Sequence, residues 1–310
     1  MQYSVIIPTY NEEQNVAKLH QEVAQVMESL NESFEIVFVN DGSYDRTLDE
    51  LEKLSPVTIV NLRKNYGQSA ALDAGFRQAQ GKVIVTMDAD LQNDPADIPK
   101  LLEKLDEYDV VCGWRWQRQD PWSKRTISRG AAWLRRFLID DGIHDSGCTL
   151  RAYRAECFMD GDTRLYGEMH RFIPGILKWQ GFNITEMKVN HRPRRHGQTK
   201  YNWKRTVKGL VDMVNLWFWR KYSNRPVHVF GGLGFVLMAA GSIALFLLLV
   251  LRALNLIGLS GSIWPLLAVL MVLVGVQLFA SGLLADMLMK TYYSQPHRSV
   301  YNIKEVLVKP

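Results

Sequence analysis

The chain has 310 residues, 47% of them hydrophobic, and a formal net charge of +5 at pH 7. This length allows one large domain or two modest ones, and the hydrophobic residues are concentrated late in the chain. Three cysteines without a Cys-x-x-Cys pair are typical of reduced cytosolic thiols, and seven histidines without zinc-ligand spacing argue against a zinc site. The first residues lack the basic and apolar regions of a signal peptide, so we expect none.

Residues 1 to about 160 alternate short apolar runs with helical patterns, which is typical of a parallel α/β sheet. A first helix is predicted after Asn11, which we expect to be its N-cap, and a second helix is predicted at residues 68–80. The pattern predicts strands at residues 5–7, 35–39 and 57–62, one that starts at residue 83, and one at residues 109–113.

The strand that starts at residue 83 ends in two carboxylates, Asp88 and Asp90. Side chains two residues apart on an extended chain point the same way. Two hard oxygen ligands placed in this way suit Mg²⁺ or Mn²⁺, which usually keep several waters and also bind a substrate diphosphate. The alternative is a polar turn in which Asp94-Pro95 opens a helix.

Polar residues follow three of the predicted strands, at 8–12, 40–43 and 88–90. In open α/β sheets, ligands bind beyond the carboxyl ends of the strands, so these groups predict one site. A nucleotide suits it, because a carboxylate such as Asp41 can accept the ring N–H of uracil or guanine. Neither a P-loop motif nor Gly-x-Gly-x-x-Gly occurs, which argues against a P-loop enzyme or a dinucleotide dehydrogenase.

Four motifs in this order and spacing resemble family 2 glycosyltransferases, in particular those that act on polyprenyl phosphate. They are Pro-Thr-Tyr-Asn-Glu at 8–12, Val-Asn-Asp-Gly-Ser at 39–43, Asn-Tyr-Gly-Gln at 65–68 and Asp-Ala-Asp-Leu-Gln at 88–92. The resemblance covers roughly residues 3–205 and implies an A-type, Rossmann-like nucleotide-sugar fold. It also implies that the donor lies against Pro8, Tyr10, Glu12, Asp41 and Asp88, and that Asp90 and Gln92, with Asp88, hold Mg²⁺ or Mn²⁺ near the reaction.

Tryptophans interleaved with arginines follow the fifth strand, in residues 114–125. A nucleic-acid patch could have this composition, but two apolar segments later in the chain favour a phospholipid-type head group, so we expect no nucleic-acid partner. A basic loop at residues 192–201 has the same character, and both stretches could also be solvated or lipid-attracting charges. The resemblance implies acceptor-phosphate contacts for Arg115, Lys124, Ser128, Arg194 and Lys200.

The segment His144-Asp145-Ser146-Gly147-Cys148 resembles the part of the family that carries the proposed catalytic base, which would be Asp145. A phosphomonoester has its second pKa near ~6, so at neutral pH the acceptor is already largely a dianion. Asp145 could therefore orient a group rather than abstract a proton. Cys148 is predicted to be a small buried residue beside the sheet.

Two later segments are aromatic and apolar enough to lie at a membrane surface. They are residues 168–179, with a helix through Leu177 and Trp179, and residues 203–219. Beyond them, residues 227–251 and 263–285 contain no formally charged side chain, and each could cross a hydrocarbon core of about 30 Å as a helix. Two buried helices of a soluble core would have to be apolar on every face, so we predict two membrane spans.

Basic residues flank the two predicted spans, whereas the connector at residues 252–262 carries only Arg252. By the positive-inside rule, both termini are predicted to be cytoplasmic. The predicted organisation is a catalytic domain at 1–165, an acceptor loop with interfacial helices at 166–226, two spans at 227–289 and a cytoplasmic tail at 290–310.

These observations predict an inverting, metal-dependent transfer of one sugar from a UDP- or GDP-linked donor to undecaprenyl or dolichyl phosphate at the cytoplasmic membrane face. A processive polysaccharide synthase is an alternative, although its Gln-x-x-Arg-Trp motif does not occur. A catalytically silent nucleotide-binding module at the membrane is another. Membrane lipid is an expected partner, and a homo-oligomer is left open.

Overall fold

The computed structural model describes residues 1–116, 138–139, 141–159, 165, 167, 169–193, 213, 217, 226–256, 258, 262–294 and 300–309. The chain divides into two compact units. The first comprises Met1–Asn215 together with Ser299–Pro310, and the second comprises Leu216–Arg298.

The first unit contains an eight-stranded sheet with helices. Its strands are β1 (Tyr3–Thr9), β2 (Phe34–Asn40), β3 (Val57–Leu62), β4 (Val83–Thr86), β5 (Val110–Arg115), β6 (Arg151–Arg154), β7 (Ile184–Val189) and β8 (Ile303–Lys309). Its described α-helices are α1 (Val16–Glu28), α2 (Thr47–Leu51), α3 (Gln68–Gln78), α4 (Ile98–Lys104), α5 (Glu156–Met159) and α6 (Ile173–Trp179), with short 3₁₀ turns at Pro95–Asp97 and Met169–Arg171. The strand order is β7-β5-β6-β4-β1-β2-β3-β8.

The sheet is mixed rather than wholly parallel. Strands β4, β1, β2 and β3 run parallel to one another, as predicted, so the segments after β1, β2 and β4 leave the sheet at one edge. Strand β6 enters antiparallel between β4 and β5, and β7 extends the sheet parallel to β5. The α/β fold predicted from the sequence is confirmed, but the sequence pattern does not reveal β6, which makes this half of the sheet mixed.

Alternate residues of the central strand β1 face opposite sides of the sheet. Val5 and Ile7 pack with α1 on one side, whereas Ile6 packs with α3 on the other. Helix α3 approaches β1 closely at Gly75, where an added Cβ would overlap the Ile6 side chain. Both faces of the sheet are therefore covered, as expected for apolar strands without alternation.

One local prediction is wrong. Asn11 does not cap the first helix, because it has a left-handed φ of 55° and the helix begins only at Val16. Helix α6, for which the sequence predicts a place at the membrane surface, buries its apolar residues Ile173 and Leu177 in the core on the α3 side of the sheet. The second predicted interfacial segment, residues 203–219, lies largely outside the described residues.

Strand β8 lies in the segment at residues 290–310, for which the sequence pattern predicts only a tail. It pairs antiparallel with β3 from Val57–Lys309 to Leu62–Ile303, and Leu307 packs against the core on the α1 side. Its sequence, Ile-Lys-Glu-Val-Leu-Val-Lys, combines β-favouring apolar residues with charges, which is a common composition for an edge strand.

The second unit contains two long helices, α7 (Pro226–Ala253) and α8 (Trp264–Ser294). Both are long and apolar enough to span a membrane by length and composition, and only 11% and 17% of their most hydrophobic windows are buried. A core helix of a soluble domain would be mostly buried. The helices meet at glycines, since a Cβ added to Gly275 would lie 2.7 Å from the Gly234 carbonyl oxygen. Small residues at a helix contact are typical of membrane-embedded packing.

Candidate functional site

The loops after β1 and β2 are fastened to each other at the predicted edge of the sheet. The Asn11 N–H donates to Ser43 Oγ at 3.0 Å, and the Tyr44 N–H donates to Asn11 Oδ1 at 3.0 Å. The Glu12 N–H donates to Thr47 Oγ1 at 2.8 Å. Asn11 therefore uses its left-handed backbone, which asparagine tolerates well, to join the two loops.

Asp41 is buried, and its carboxylate accepts two backbone hydrogen bonds. The donors are the N–H groups of Tyr66 and Gly67, at 2.7 and 2.9 Å. Burial raises the pKa of Asp41 above its usual value, although the two N–H donors act in the opposite direction. Each carboxylate oxygen has a second lone pair, so this arrangement still allows Asp41 to accept a hydrogen bond from a nucleobase.

Gly42 brings the β2 loop onto the segment that follows β3. It has a φ of +64°, and an added Cβ would lie 2.6 Å from the Asn65 backbone nitrogen. A residue with a side chain would strain both the backbone and this contact. Asp41 and Gly42 thus hold residues 63–67 against the β2 loop.

Asp88 and Asp90 lie just beyond β4. Asp88 Oδ1 accepts the Gln68 side-chain N–H at 2.7 Å, and the Asp88 N–H donates to Asn93 Oδ1 at 3.0 Å. Burial, and then the charge of Asp90, raises the pKa of Asp88 to about 6. Asp90 Oδ1 accepts the Gln92 N–H at 3.2 Å across a tight turn. The two carboxylates repel each other, which a bound cation would relieve.

The segment after β7 lies against this turn, a contact that the sequence does not predict. His191 Nε2 is 3.5 Å from the Gln92 side-chain nitrogen, and the Arg192 N–H donates to the Gln92 carbonyl oxygen at 2.9 Å. Arg192 also pairs with Glu22 and Asp94, at 2.5 and 2.7 Å. In the sequence, this contact could be sought only at His191, the histidine directly before the basic loop. A single histidine has no ligand spacing from which a contact can be predicted.

Asp88, Asp90 and Gln92 fit a hard divalent cation, because carboxylate and amide oxygens are its preferred ligands. In the part of the chain that the structure describes, no three His, Cys, Asp or Glu side chains gather as a complete metal cage. The fit therefore requires further oxygen ligands from water or from a diphosphate.

Arg115 and Asp145 form a two-point ion pair. Arg115 Nε and Nη2 donate to the two Asp145 oxygens at 2.6 and 2.8 Å, and the Gly147 N–H adds a third donor at 3.1 Å. Burial alone would lower the pKa of Arg115, but its hydrogen bonds to Asp145 and the Asp145 charge raise it above its usual range. The charge of Arg115 also reaches Asp88, whose pKa it lowers in part.

The remaining predicted site residues divide into two groups. Pro8 lies within β1, Tyr10 packs edge to face on Tyr44 with ring centroids 6.1 Å apart, and Glu12 accepts the Asn15 side-chain N–H at 2.6 Å. These three lie on the β1 side of the site edge. Four predicted acceptor residues lie outside the described residues: Lys124, Ser128, Arg194 and Lys200.

Several contacts of the site are not identifiable from the sequence, although Gln68 lies in the motif at residues 65–68. Gln68 and Asn93 hold Asp88, and Asn93 Oδ1 also accepts the Thr149 hydroxyl at 3.2 Å. Single amides and hydroxyls occur throughout any surface, so only the structure reveals which groups these side chains contact.

Cys148 is buried, as predicted, and burial raises the pKa of its thiol to about 11.

Comparison with known proteins agrees with this geometry. The model of the family "Glycosyl transferase family 2" matches residues 4–161. The chain is 37% identical to the dodecaprenyl-phosphate galacturonate synthase of Rhizobium johnstonii, over 99% of this chain and 93% of that protein. It is 32% identical to the undecaprenyl-phosphate 4-deoxy-4-formamido-L-arabinose transferase of Proteus mirabilis, over 98% of this chain and 93% of that protein.

Solved structures support the fold. Glucosyl-3-phosphoglycerate synthase from Mycobacterium tuberculosis, in complex with Mn²⁺ and UDP-glucose, superposes with a TM-score of 0.56 at 17% identity, covering 71% of this chain and 78% of that one. At this identity the likeness concerns the fold alone. The family match and the relatives that align over nearly the whole chain are stronger evidence. They show that this chain is a member of glycosyl transferase family 2.

Proposed function

We propose that the protein transfers one sugar from a UDP- or GDP-linked donor to a polyprenyl phosphate at the cytoplasmic face of a membrane, with inversion at the anomeric carbon and with Mg²⁺ or Mn²⁺. The observation that carries the proposal is the similarity to two polyprenyl-phosphate sugar transferases over 98–99% of the chain, including the two apolar helices. The site edge supplies the groups that such a transfer needs.

The donor is proposed to lie along the edge formed by the loops after β1, β2 and β4. Tyr10 provides a ring face, and Glu12 and Asp41 provide carboxylates, for the base and ribose. Hydrogen bonds between the loops that carry these residues hold them at one edge. Asp88, Asp90 and Gln92 would hold the cation. When bound, the cation would neutralise charge on the departing diphosphate. The protein then contributes mainly positioning and electrostatic stabilisation.

Arg115 is proposed to bind the acceptor phosphate, and Asp145 to position Arg115. Both Asp145 oxygens already accept N–H groups of Arg115 and Gly147, so the carboxylate is engaged in holding the guanidinium. A phosphate that is already a dianion needs no base to become a nucleophile. The geometry therefore favours an orienting role for Asp145 over that of a general base.

The connectivity of β8 supports the proposed topology. Strand β8 belongs to the same sheet as β1 to β7, yet α7 and α8 lie between β7 and β8 in the chain. Two crossings return a chain to the side that it left, whereas one crossing does not. If both helices cross the membrane, β8 returns to the side on which β1 to β7 lie, which agrees with this chain order. The basic residues that flank the spans favour the same topology.

A direct test is to supply the purified protein with radiolabelled nucleotide sugars and polyprenyl phosphate. We expect a single sugar on the lipid, formed only with Mg²⁺ or Mn²⁺ present. Asp90→Asn should keep the fold but lower the rate about 100-fold or more, because an amide is a poorer ligand for a hard dication. A polymer product would favour a processive synthase, and nucleotide binding without turnover would favour a silent module.

We expect the pH dependence of unfolding to reveal the strain at Asp88. The Asp88 carboxyl has a pKa of about 6 in the folded protein and near 3.8 in the unfolded chain, so it binds its proton more tightly when folded. The folded protein is therefore relatively more stable below pH 4, and it loses that advantage as the pH rises through 6. Without metal, Asp88→Asn should therefore raise the free energy of unfolding at pH 7.5 by about 1–3 kcal/mol, which is measured as a higher Tm. The gain should vanish near pH 4. An equal gain at both pH values would rule out burial and charge repulsion of the carboxylate as its cause.

The role of Asp145 predicts a particular pH profile. If Asp145 positions Arg115, Asp145→Asn should raise the acceptor KM about tenfold while leaving the shape of kcat against pH, from 6 to 9, unchanged. Loss of a general base would instead remove an ascending limb of that profile. Arg115→Lys, which keeps the charge but not the two-point pair, provides the matched comparison, and its acceptor KM should rise similarly.

The topology can be tested with two reporters. One fused after Pro310 should be cytoplasmic, and one inserted at Gly258 should be on the opposite side of the membrane. Both reporters on the same side would mean that one of the helices does not cross.

A further inference from the structure

We propose that strand β8 is a working part of the donor site and that Glu305 is a positioning residue for nucleotide binding. Glu305 does not reach the proposed nucleotide position itself. It acts through a relay of side-chain amides that ends on the loop after β2. The inference rests on the proposed function in taking residues 40–43 as part of the nucleotide site.

The relay consists of three side-chain contacts. Glu305 Oε1 accepts the Asn61 Nδ2–H at 2.9 Å, and Asn61 Oδ1 accepts the Asn40 Nδ2–H at 3.0 Å. Asn40 Oδ1 then accepts both the hydroxyl and the N–H of Ser43, at 2.6 and 3.2 Å. Ser43 in turn accepts the Asn11 N–H, so the relay joins β8 to both donor loops.

The relay has a direction that Glu305 sets. An ionised carboxylate can only accept, so it requires the NH₂ end of Asn61 to face it. The carbonyl end of Asn61 then faces the NH₂ end of Asn40. The carbonyl end of Asn40 consequently faces Ser43 and accepts its hydrogen bonds. Asn40 and Asn61 are buried, at 2% and 4% exposure, where an amide that lacks its partners is costly. Without Glu305, both amides lose the contact that fixes their orientation.

A second set of contacts reaches the same loop from its other side. The carbonyl oxygen of Asn302, just before β8, accepts the Arg63 N–H at 3.1 Å. The Asn302 side-chain amide donates to the Tyr66 hydroxyl at 3.4 Å. Tyr66 is one of the two residues whose N–H groups hold the Asp41 carboxylate. The segment at residues 302–305 therefore supports both flanks of Asp41.

These contacts exceed what pairing of β8 to the sheet requires. The backbone ladder with β3 and the partly buried Leu307 hold the strand without a side-chain contact between positions 61 and 305. A purely structural role would thus leave the donor constants unaffected when only the Glu305 carboxylate is removed. A positioning role would not.

The test uses the full-length protein in detergent and measures the KM values of donor and acceptor, the Kd values of UDP and GDP, and the Tm. We expect Glu305→Ala to raise the donor KM and the Kd of the preferred nucleotide about three- to tenfold, with an unchanged acceptor KM. Glu305→Gln keeps a carbonyl oxygen that can accept from Asn61, so it should recover most of the loss.

Lys304→Ala is the matched control. Lys304 is the neighbouring residue on β8 and lies 3.7 Å from Glu305 in an exposed ion pair, so its loss removes that charge contact but spares the relay. We expect wild-type constants for this variant.

The proposal is overturned if Glu305→Ala has a wild-type nucleotide Kd, if it raises donor and acceptor KM equally, or if Lys304→Ala gives the same shift. A wild-type protein without sugar transfer would refute the proposed function, whereas the nucleotide Kd values would still decide the role of Glu305.

Discussion

The burial of Asp88 beside a second carboxylate, Asp90, is the constraint on which the site depends. This arrangement is unfavourable on its own, because burial first, and then the charge of Asp90, raises the pKa of Asp88 to about 6. The surrounding residues reduce this cost rather than remove it: Gln68 donates to Asp88, and the charge of Arg115 acts from a distance. A protein selected for stability alone would not keep this pair, which supports the proposal that a cation binds there.

The pair also explains why Arg115 is held so firmly. A guanidinium beside two carboxylates could turn towards either of them, and it would then be lost to an incoming phosphate. The two-point contact with Asp145 fixes its plane and direction. Arg115 is thereby kept from turning towards Asp88 and Asp90. In the proposed function, this leaves the two aspartates for a cation and the guanidinium for the acceptor phosphate.

The sequence predicts those parts of the fold that follow from local pattern. The apolar runs of β1 to β5, the shared edge of β1, β2 and β4, and the carboxylates beyond β4 are all identifiable in this way. The other parts depend on contacts between distant residues. Asn61 meets Glu305 across 244 positions, and Arg115 meets Asp145 across 30, and no periodicity signals either pair. The predicted cap at Asn11 fails because its side chain serves a neighbouring loop rather than a helix.

The position of β8 also determines when the catalytic sheet can be finished during synthesis. The last strand leaves the ribosome after both apolar helices, so until then β3 has an unpaired edge and Asn61 lacks its carboxylate partner. An open strand edge invites association with other chains. The sheet can therefore close only after both apolar helices have been synthesised. A fragment cut before α7 to obtain a soluble enzyme would lack its own edge strand, however complete its motifs.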